Sequence, residues 1–91
     1  MKLDIIASNK FRKDVKLAKK RGLSLDKLEL VVETLANQIP LDKKYKDHAL
    51  TGNYAAFCEC HIEPDWLLIY RQDLDVLELF LFRTGSHSDL F

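Results

Sequence analysis

Three histidines, His48, His61 and His87, fall in the second half of the chain together with Asp65 and Arg83. Histidine is the only side chain whose unperturbed pKa lies close to neutral pH, so several in one cleft could act as general acid and general base. Arg83 precedes His87 by four residues, and Gly85 between them lets the chain turn, so a cation and a proton donor could face one site. Metal-free phosphodiester cleavage needs a base for the ribose 2′-hydroxyl, a cation for the crowded phosphorane and an acid for the departing 5′-oxygen. His, Asp and Arg supply those functions. Each also has a plainer reading, as a surface histidine or, for Asp65 beside Pro64, as a turn former.

Other chemistries find less support. Cys58, Cys60, His61 and His48 could in principle ligate a metal, but Cys-x-Cys-His lacks the paired ligand spacing of ordinary zinc sites. There is no Gly-rich phosphate loop, dinucleotide fingerprint or Gly-x-Ser-x-Gly elbow. A site without metal or cofactor is the expectation. Cys58 and Cys60 lie two apart in a strand-like run, a poor geometry for a mutual disulfide, so both are expected to be reduced.

The elements that must position these residues are legible in outline. Lys2 to Ala7 reads as a strand, and Ser8 or Asn9 as the cap of a helix whose inner face carries Phe11, Val15 and Ala18 and whose stop is Gly22. A second helix begins at Ser24, carries Leu25, Leu28, Val31, Val32 and Leu35 at helical period, and ends before Pro40. Residues 41–53 lose periodicity and read as a long connection holding Tyr45, Asp47, His48 and Gly52. Three strands follow as an antiparallel meander, Tyr54 to His61, Trp66 to Arg71 and Val76 to Thr84. In the last, Leu77, Leu79 and Leu81 alternate with Phe80 and Phe82, so either both faces are buried or one takes a partner. The fold class is α+β, in the order β-α-α-β-β-β with a short C-terminal tail.

With 91 residues, 47% of them hydrophobic and only three Gly and two Pro, the chain suits one compact domain. No apolar stretch approaches the roughly 18 residues of a membrane span, and the first residues lack a signal peptide's apolar region, so a cytoplasmic location without membrane association is expected. The zero net charge conceals a division: residues 1–50 carry 12 Lys/Arg against 7 Asp/Glu, and residues 51–91 carry 2 against 7. A basic first half fits contact with phosphates, although solvated helix faces would give the same pattern.

Three motifs in order, Tyr45-Lys46-Asp47-His48-Ala49-Leu50-Thr51-Gly52, Cys60-His61-Ile62-Glu63-Pro64-Asp65-Trp66-Leu67-Leu68-Ile69-Tyr70 and Arg83-Thr84-Gly85-Ser86-His87-Ser88-Asp89-Leu90-Phe91, resemble the YafQ-type toxins of the RelE/ParE superfamily. The resemblance spans essentially the whole chain and implies a RelE-like fold. It implies the toxin of a type II toxin–antitoxin pair, a ribosome-dependent endoribonuclease that enters the 30S A site and cuts mRNA. His87 matches the family's main catalytic histidine, and His48, His61 and Asp65 match its other active-site positions. Phe91 matches a position linked with activity through base stacking or site closure. His87 is thus expected as general acid, His61 or Asp65 as base and Arg83 as the phosphate's electrostatic partner, with Lys13, Lys16, Lys19 and Lys20 binding ribosomal RNA.

The implied partner is a DinJ-like antitoxin, two copies with two toxins in a heterotetramer, through which alone operator DNA would be bound. The chain departs from the pattern in its neutral charge, in Glu59 where an aspartate is expected, which keeps Glu59 out of the expected catalytic set, and in Phe80 and Phe82, which would suit an apolar docking surface. A noncatalytic ribosome- or RNA-binding inhibitor and a metal-binding regulator using Cys58, Cys60 and His61 are the alternatives.

Overall fold

The computed structural model describes residues 1–91. A mixed five-stranded sheet has the order β1-β5-β4-β3-β2, from strands β1 (Asp4–Ala7), β2 (His48–Ala49), β3 (Cys58–Glu63), β4 (Trp66–Asp73) and β5 (Glu78–Gly85). Helices α1 (Asn9–Lys20) and α2 (Leu25–Ala36) cover one face, and a short helix α3 (His87–Leu90) closes the chain. The meander β3-β4-β5 is antiparallel as expected, and β1 pairs in parallel with β5, placing Ile6 opposite Phe80.

The helices start and stop where the sequence chemistry directs. The Ser8 hydroxyl accepts from the Phe11 amide, capping α1, and donates to the Phe82 carbonyl at 2.6 Å, which ties the helix to β5. Gly22, at φ 78°, supplies the left-handed residue beyond α1. Leu28, Val31, Val32 and Leu35 of α2 are buried, in the predicted stripe, against Leu68, Tyr70, Leu79 and Leu81 of the sheet. The opposite face of the sheet carries a smaller cluster, where Leu67, Ile69 and Leu90 pack with Leu50, Phe57 and Phe82. Trp66 Nε1 donates to Thr84 Oγ1 at 2.9 Å, and that hydroxyl donates to the Leu67 carbonyl, so both buried polar groups are satisfied.

Several boundaries differ from the sequence reading. Residues 52–54 form a 3₁₀ turn, so β3 begins at Cys58 and not Tyr54. β5 begins at Glu78, because Leu77 adopts φ 57° in an exposed turn that breaks the alternation. The connection 41–53 contains the two-residue strand β2, paired His48 to Glu59 and Ala49 to Cys58. A bulge aligns Ile69 with Arg83 and Tyr70 with Leu81, so Phe82 is the extra residue. Phe80 and Phe82 are half-buried rather than open, with Phe57 stacked on Phe82 at 4.7 Å and the Arg71 guanidinium 5.4 Å from the Phe57 and Phe80 rings.

Leu68 lies fully buried at the centre of this packing. Leu68→Ala is expected to lower unfolding free energy by about 2–5 kcal/mol, measured by urea denaturation. A loss under ~1 kcal/mol would contradict a close-packed core there.

Candidate active site

β3 alternates, so Glu59 and His61 face one side of the sheet while Cys58 and Cys60 pack toward the main core. Pairing with β2 brings His48 directly opposite Glu59. The turn between β3 and β4 presents Asp65, and the end of β5 delivers His87 as the first residue of α3. Five residues from four segments of the chain thus meet beside the smaller hydrophobic cluster.

The contact that organises them is between Asp65 and His87. Asp65 Oδ1 accepts from the His87 backbone amide at 2.9 Å and lies 2.6 Å from His87 Nδ1. A carboxylate oxygen there requires Nδ1 to carry the donated proton, which leaves the ring's free lone pair on Nε2. These hydrogen bonds, the amide first and the ring second, hold the Asp65 carboxyl below its ordinary pKa range although it is exposed.

The His61 ring lies 5.6 Å from that of His87 and 6.5 Å from that of His48. His61 Nδ1 is 3.3 Å from the Pro64 carbonyl, which leaves Nε2 facing Glu59 at 4.0 Å, beyond hydrogen-bond reach. His48 has both nitrogens engaged, Nδ1 with the Lys46 carbonyl at 2.8 Å and Nε2 with Glu59 Oε2 at 3.3 Å. Glu59 is only 7% exposed and sits between the two imidazoles. The sequence reading left it outside the catalytic set, and the signal that would have found it is the cross-strand register with His48.

Further hydrogen bonds hold α3 in place. Ser86 and Asp89 form a reciprocal capping box at its start, and Arg21 at the end of α1 clamps Asp89 through both carboxylate oxygens, at 2.6 and 3.2 Å. The Arg21 guanidinium, followed by the Ser86 amide, pushes the Asp89 carboxyl well below its usual range. A Cβ at Gly85 would lie 3.0 Å from the Asp89 side chain, tighter than ordinary contact, so a larger residue there would push on the carboxylate that Arg21 and Ser86 hold.

The remaining expected residues are placed differently. The Arg83 guanidinium reaches Asp14 of α1, with Nε and Nη2 at 2.7 and 3.1 Å, and this ion pair raises its pKa. Arg83 is thus half-covered at the edge of the site, with Nη1 outside the bidentate contact. Phe91 is exposed and meets the Tyr54 ring edge-on at 5.6 Å. Lys13, Lys16, Lys19 and Lys20 all lie on the solvent side of α1 and take no part in the histidine cluster.

The metal-ligand set considered from the sequence is not brought together, because strand alternation separates Cys58 and Cys60 from His48 and His61. Burial pushes the Cys60 thiol up to about 12, which keeps it protonated and inert. The one group with ligand atoms close enough for a cation is Glu59, His61 and His87, within 4.8 Å of one another.

A two-layer α+β domain with an exposed His–Asp pair at the sheet's end has the architecture of the small RelE-like toxins. The sequence model of a bacterial toxin of type II toxin–antitoxin systems, YafQ, matches residues 3–91. The mRNA interferase toxin YafQ of Escherichia coli K12 is 43% identical over 89 residues, covering 97% of this chain and 95% of that protein. The structure resembles a metal-bound toxin from Helicobacter pylori at TM-score 0.92 and 49% identity, covering 98% and 99% of the two chains. It resembles E. coli YafQ in its DinJ–YafQ toxin–antitoxin complex at TM-score 0.90 and 41% identity, covering 100% and 99%. The chain belongs to the YafQ family of type II toxin–antitoxin toxins.

Because the Asp65 and Asp89 carboxyls are depressed, what they contribute to docking α3 is present above the ordinary carboxylate range and is lost as pH falls through their lowered values. Carboxyl NMR titration is expected to show Asp65 below about 3.9 and, in His87→Ala, to move it only part of the way back, because the residue 87 amide still donates. A full return to the ordinary value would contradict the leading role of that amide.

Proposed function

We propose that the chain is a ribosome-dependent, metal-free mRNA endoribonuclease of the cytoplasm. The observation that carries this reading is the fixed, exposed His87 ring, its Nδ1 held by Asp65 and its centroid 5.6 Å from that of the His61 ring. Two imidazoles so placed can flank one phosphodiester.

In the proposed reaction His61 Nε2 takes the proton of a ribose 2′-hydroxyl, and the 2′-oxygen forms a bond to phosphorus. The bond from phosphorus to the 5′-oxygen breaks as protonated His87 gives its Nε2 proton to that oxygen. The products are a 2′,3′-cyclic phosphate and a 5′-hydroxyl. His61 is favoured as base over His48, whose nitrogens are both engaged, and over Asp65, whose Oδ1 is committed to His87. Glu59 lies 3.3 Å from His48 Nε2 and 4.0 Å from His61 Nε2, close enough to stabilise the imidazolium that His61 becomes on taking the proton, and His48 completes the wall on its far side. Arg83 can offer Nη1 to the phosphorane while Asp14 holds its other face. Phe91 and Tyr54 form an aromatic edge suited to a base.

Lys13, Lys16, Lys19 and Lys20 supply an exposed basic face for ribosomal RNA. A DinJ-like antitoxin is the partner that the E. coli complex supports, in the proposed assembly of two toxins with two antitoxins, with operator DNA bound through the antitoxin alone. An added cation would fit at Glu59, His61 and His87, whose ligand atoms lie within 4.8 Å of one another, and would occupy the lone pairs that this mechanism uses.

His87→Ala is expected to lower cleavage of ribosome-bound mRNA by about 10²- to 10⁴-fold while leaving the unfolding midpoint and antitoxin binding intact. Undiminished cleavage would remove His87 from the mechanism. The wild-type chain is expected to cut translated message in excess chelator and to spare the same RNA without ribosomes. Loss of activity on chelation, or absence of new 5′ ends after induction, would overturn the metal-free nuclease reading.

A further inference from the structure

β2 covers only Cys58 and Glu59, so beyond them the outer edge of β3 has no strand beside it. The 3₁₀ turn at Lys43–Tyr45 crosses there instead, with Tyr45 packed against the main core, and the exposed side of α2 stands opposite. Between them lies a cleft of about 630 Å³, lined by Lys27, Leu30, Lys44, Tyr45, Lys46 and His61 among others. That volume lies within the ~300–1,000 Å³ range of small-ligand sites. His61 is the one catalytic-site histidine on its wall, and neither His87 nor Asp65 lines it.

Its lining combines apolar surface with ammonium groups. Leu30, 60% exposed, lines it together with Tyr45 and Ile62, giving apolar surface that a base can cover. Lys44 Nζ is held 5.1 Å over the Tyr45 ring, Lys46 stands at the rim, and Lys27 Nζ lies 3.9 Å from Glu63, the one carboxylate on the wall. Three ammonium groups against one carboxylate leave net positive charge beside an apolar floor. Base and phosphate need that combination, and an uncharged or cationic ligand would not.

We propose that this cleft binds the mRNA nucleotide on the 5′ side of the scissile phosphate, the one whose 2′-hydroxyl attacks. The inference rests on the nuclease reading above, with His61 as base: His61 is the residue that the cleft shares with the histidine cluster, its Nδ1 beside the Pro64 carbonyl on the cleft wall and its Nε2 on the Glu59 side, so the nucleotide that yields a proton to it must lie along this wall. Lys27, Lys44 and Lys46 contact its phosphates, and Leu30 and Tyr45 its base. Phe91 and Tyr54 then receive the nucleotide beyond the cut.

Nucleoside 3′-monophosphates carry the base, the 2′-hydroxyl and the 3′-phosphate of that nucleotide, and serve as probes in amide NMR titrations of the full chain. Saturable shifts are expected at Leu30, Lys44, Tyr45, Lys46 and His61, with weaker shifts from the 5′-monophosphates. Lys27→Glu with Lys44→Glu is expected to raise Kd at least tenfold, while Lys10→Glu on α1, outside the cleft, leaves it unchanged. The removal of two phosphate contacts should also flatten the salt dependence of binding to a single-stranded oligonucleotide by about 1.4 in log–log slope. Shifts confined to His87 and Phe91, or an unchanged Kd in the folded double variant, would overturn the assignment, as would a double variant that binds RNA normally but loosens the antitoxin. A wild-type chain that binds the 3′-nucleotides in the cleft but leaves neither cyclic-phosphate nor 3′-phosphate ends on translated message would keep the cleft as a nucleotide site and sink the nuclease reading.

Discussion

Burial of β4 on both faces is the constraint from which the rest follows. Trp66, Leu67, Leu68, Ile69 and Tyr70 are all buried, so the sheet needs a cover on each side. Helices α1 and α2 supply one. No long element is left for the other, and the cover is assembled from Leu50, Phe57, Phe82 and the last turn of the chain, where Leu90 packs against Leu67 and Ile69. The C-terminal tail therefore folds back for a hydrophobic reason, and in doing so brings His87 to the β3–β4 turn that carries Asp65. The geometry of the histidine site and completion of the second core are one event.

Polar contacts convert that loose requirement into a fixed position. Apolar burial of Leu90 alone would tolerate many orientations of a four-residue helix. The capping box of Ser86 and Asp89, the Arg21 clamp on Asp89 and the double acceptance by Asp65 remove that freedom, each at a different atom of the same turn. Arg83 is held in the same manner by Asp14, which also accepts the Thr84 amide where β1 no longer covers the edge of β5. Two carboxylates and two arginines thus join the first helix to the end of the chain, 68 or more residues apart. The two pairs run in opposite directions along the chain, Arg21 of the first half with Asp89 of the second and Arg83 of the second with Asp14 of the first, so the charge division between the halves is left to the exposed side chains.

Periodicity made the two helices and the meander legible, because each buries one face and repeats its apolar residues accordingly. The motif pattern marked His48, His61, Asp65 and His87, and the structure brings them together. It could not show that Asp14 holds Arg83, since nothing local links a helix carboxylate to a strand arginine 69 residues away. The two-residue β2 and the bulge at Phe82 escaped for a related reason: both are set by the partner strand. Glu59 was passed over because its value lies in the register opposite His48, which a single sequence does not display. The tail reads as a polar run with one glycine, and only the uncovered face of β4 explains why it becomes a helix.

In the proposed mechanism His61 and His87 act as base and acid on a 2′-hydroxyl attack, with no metal-activated water. The chemistry left on the RNA ends reports this directly. Purified chain acting on translating ribosomes should leave a 5′-hydroxyl on the downstream fragment and a 2′,3′-cyclic phosphate, or the 3′-phosphate from its hydrolysis, on the upstream one. A 5′-phosphate paired with a free 3′-hydroxyl would mean that water attacked instead, and would contradict the mechanism.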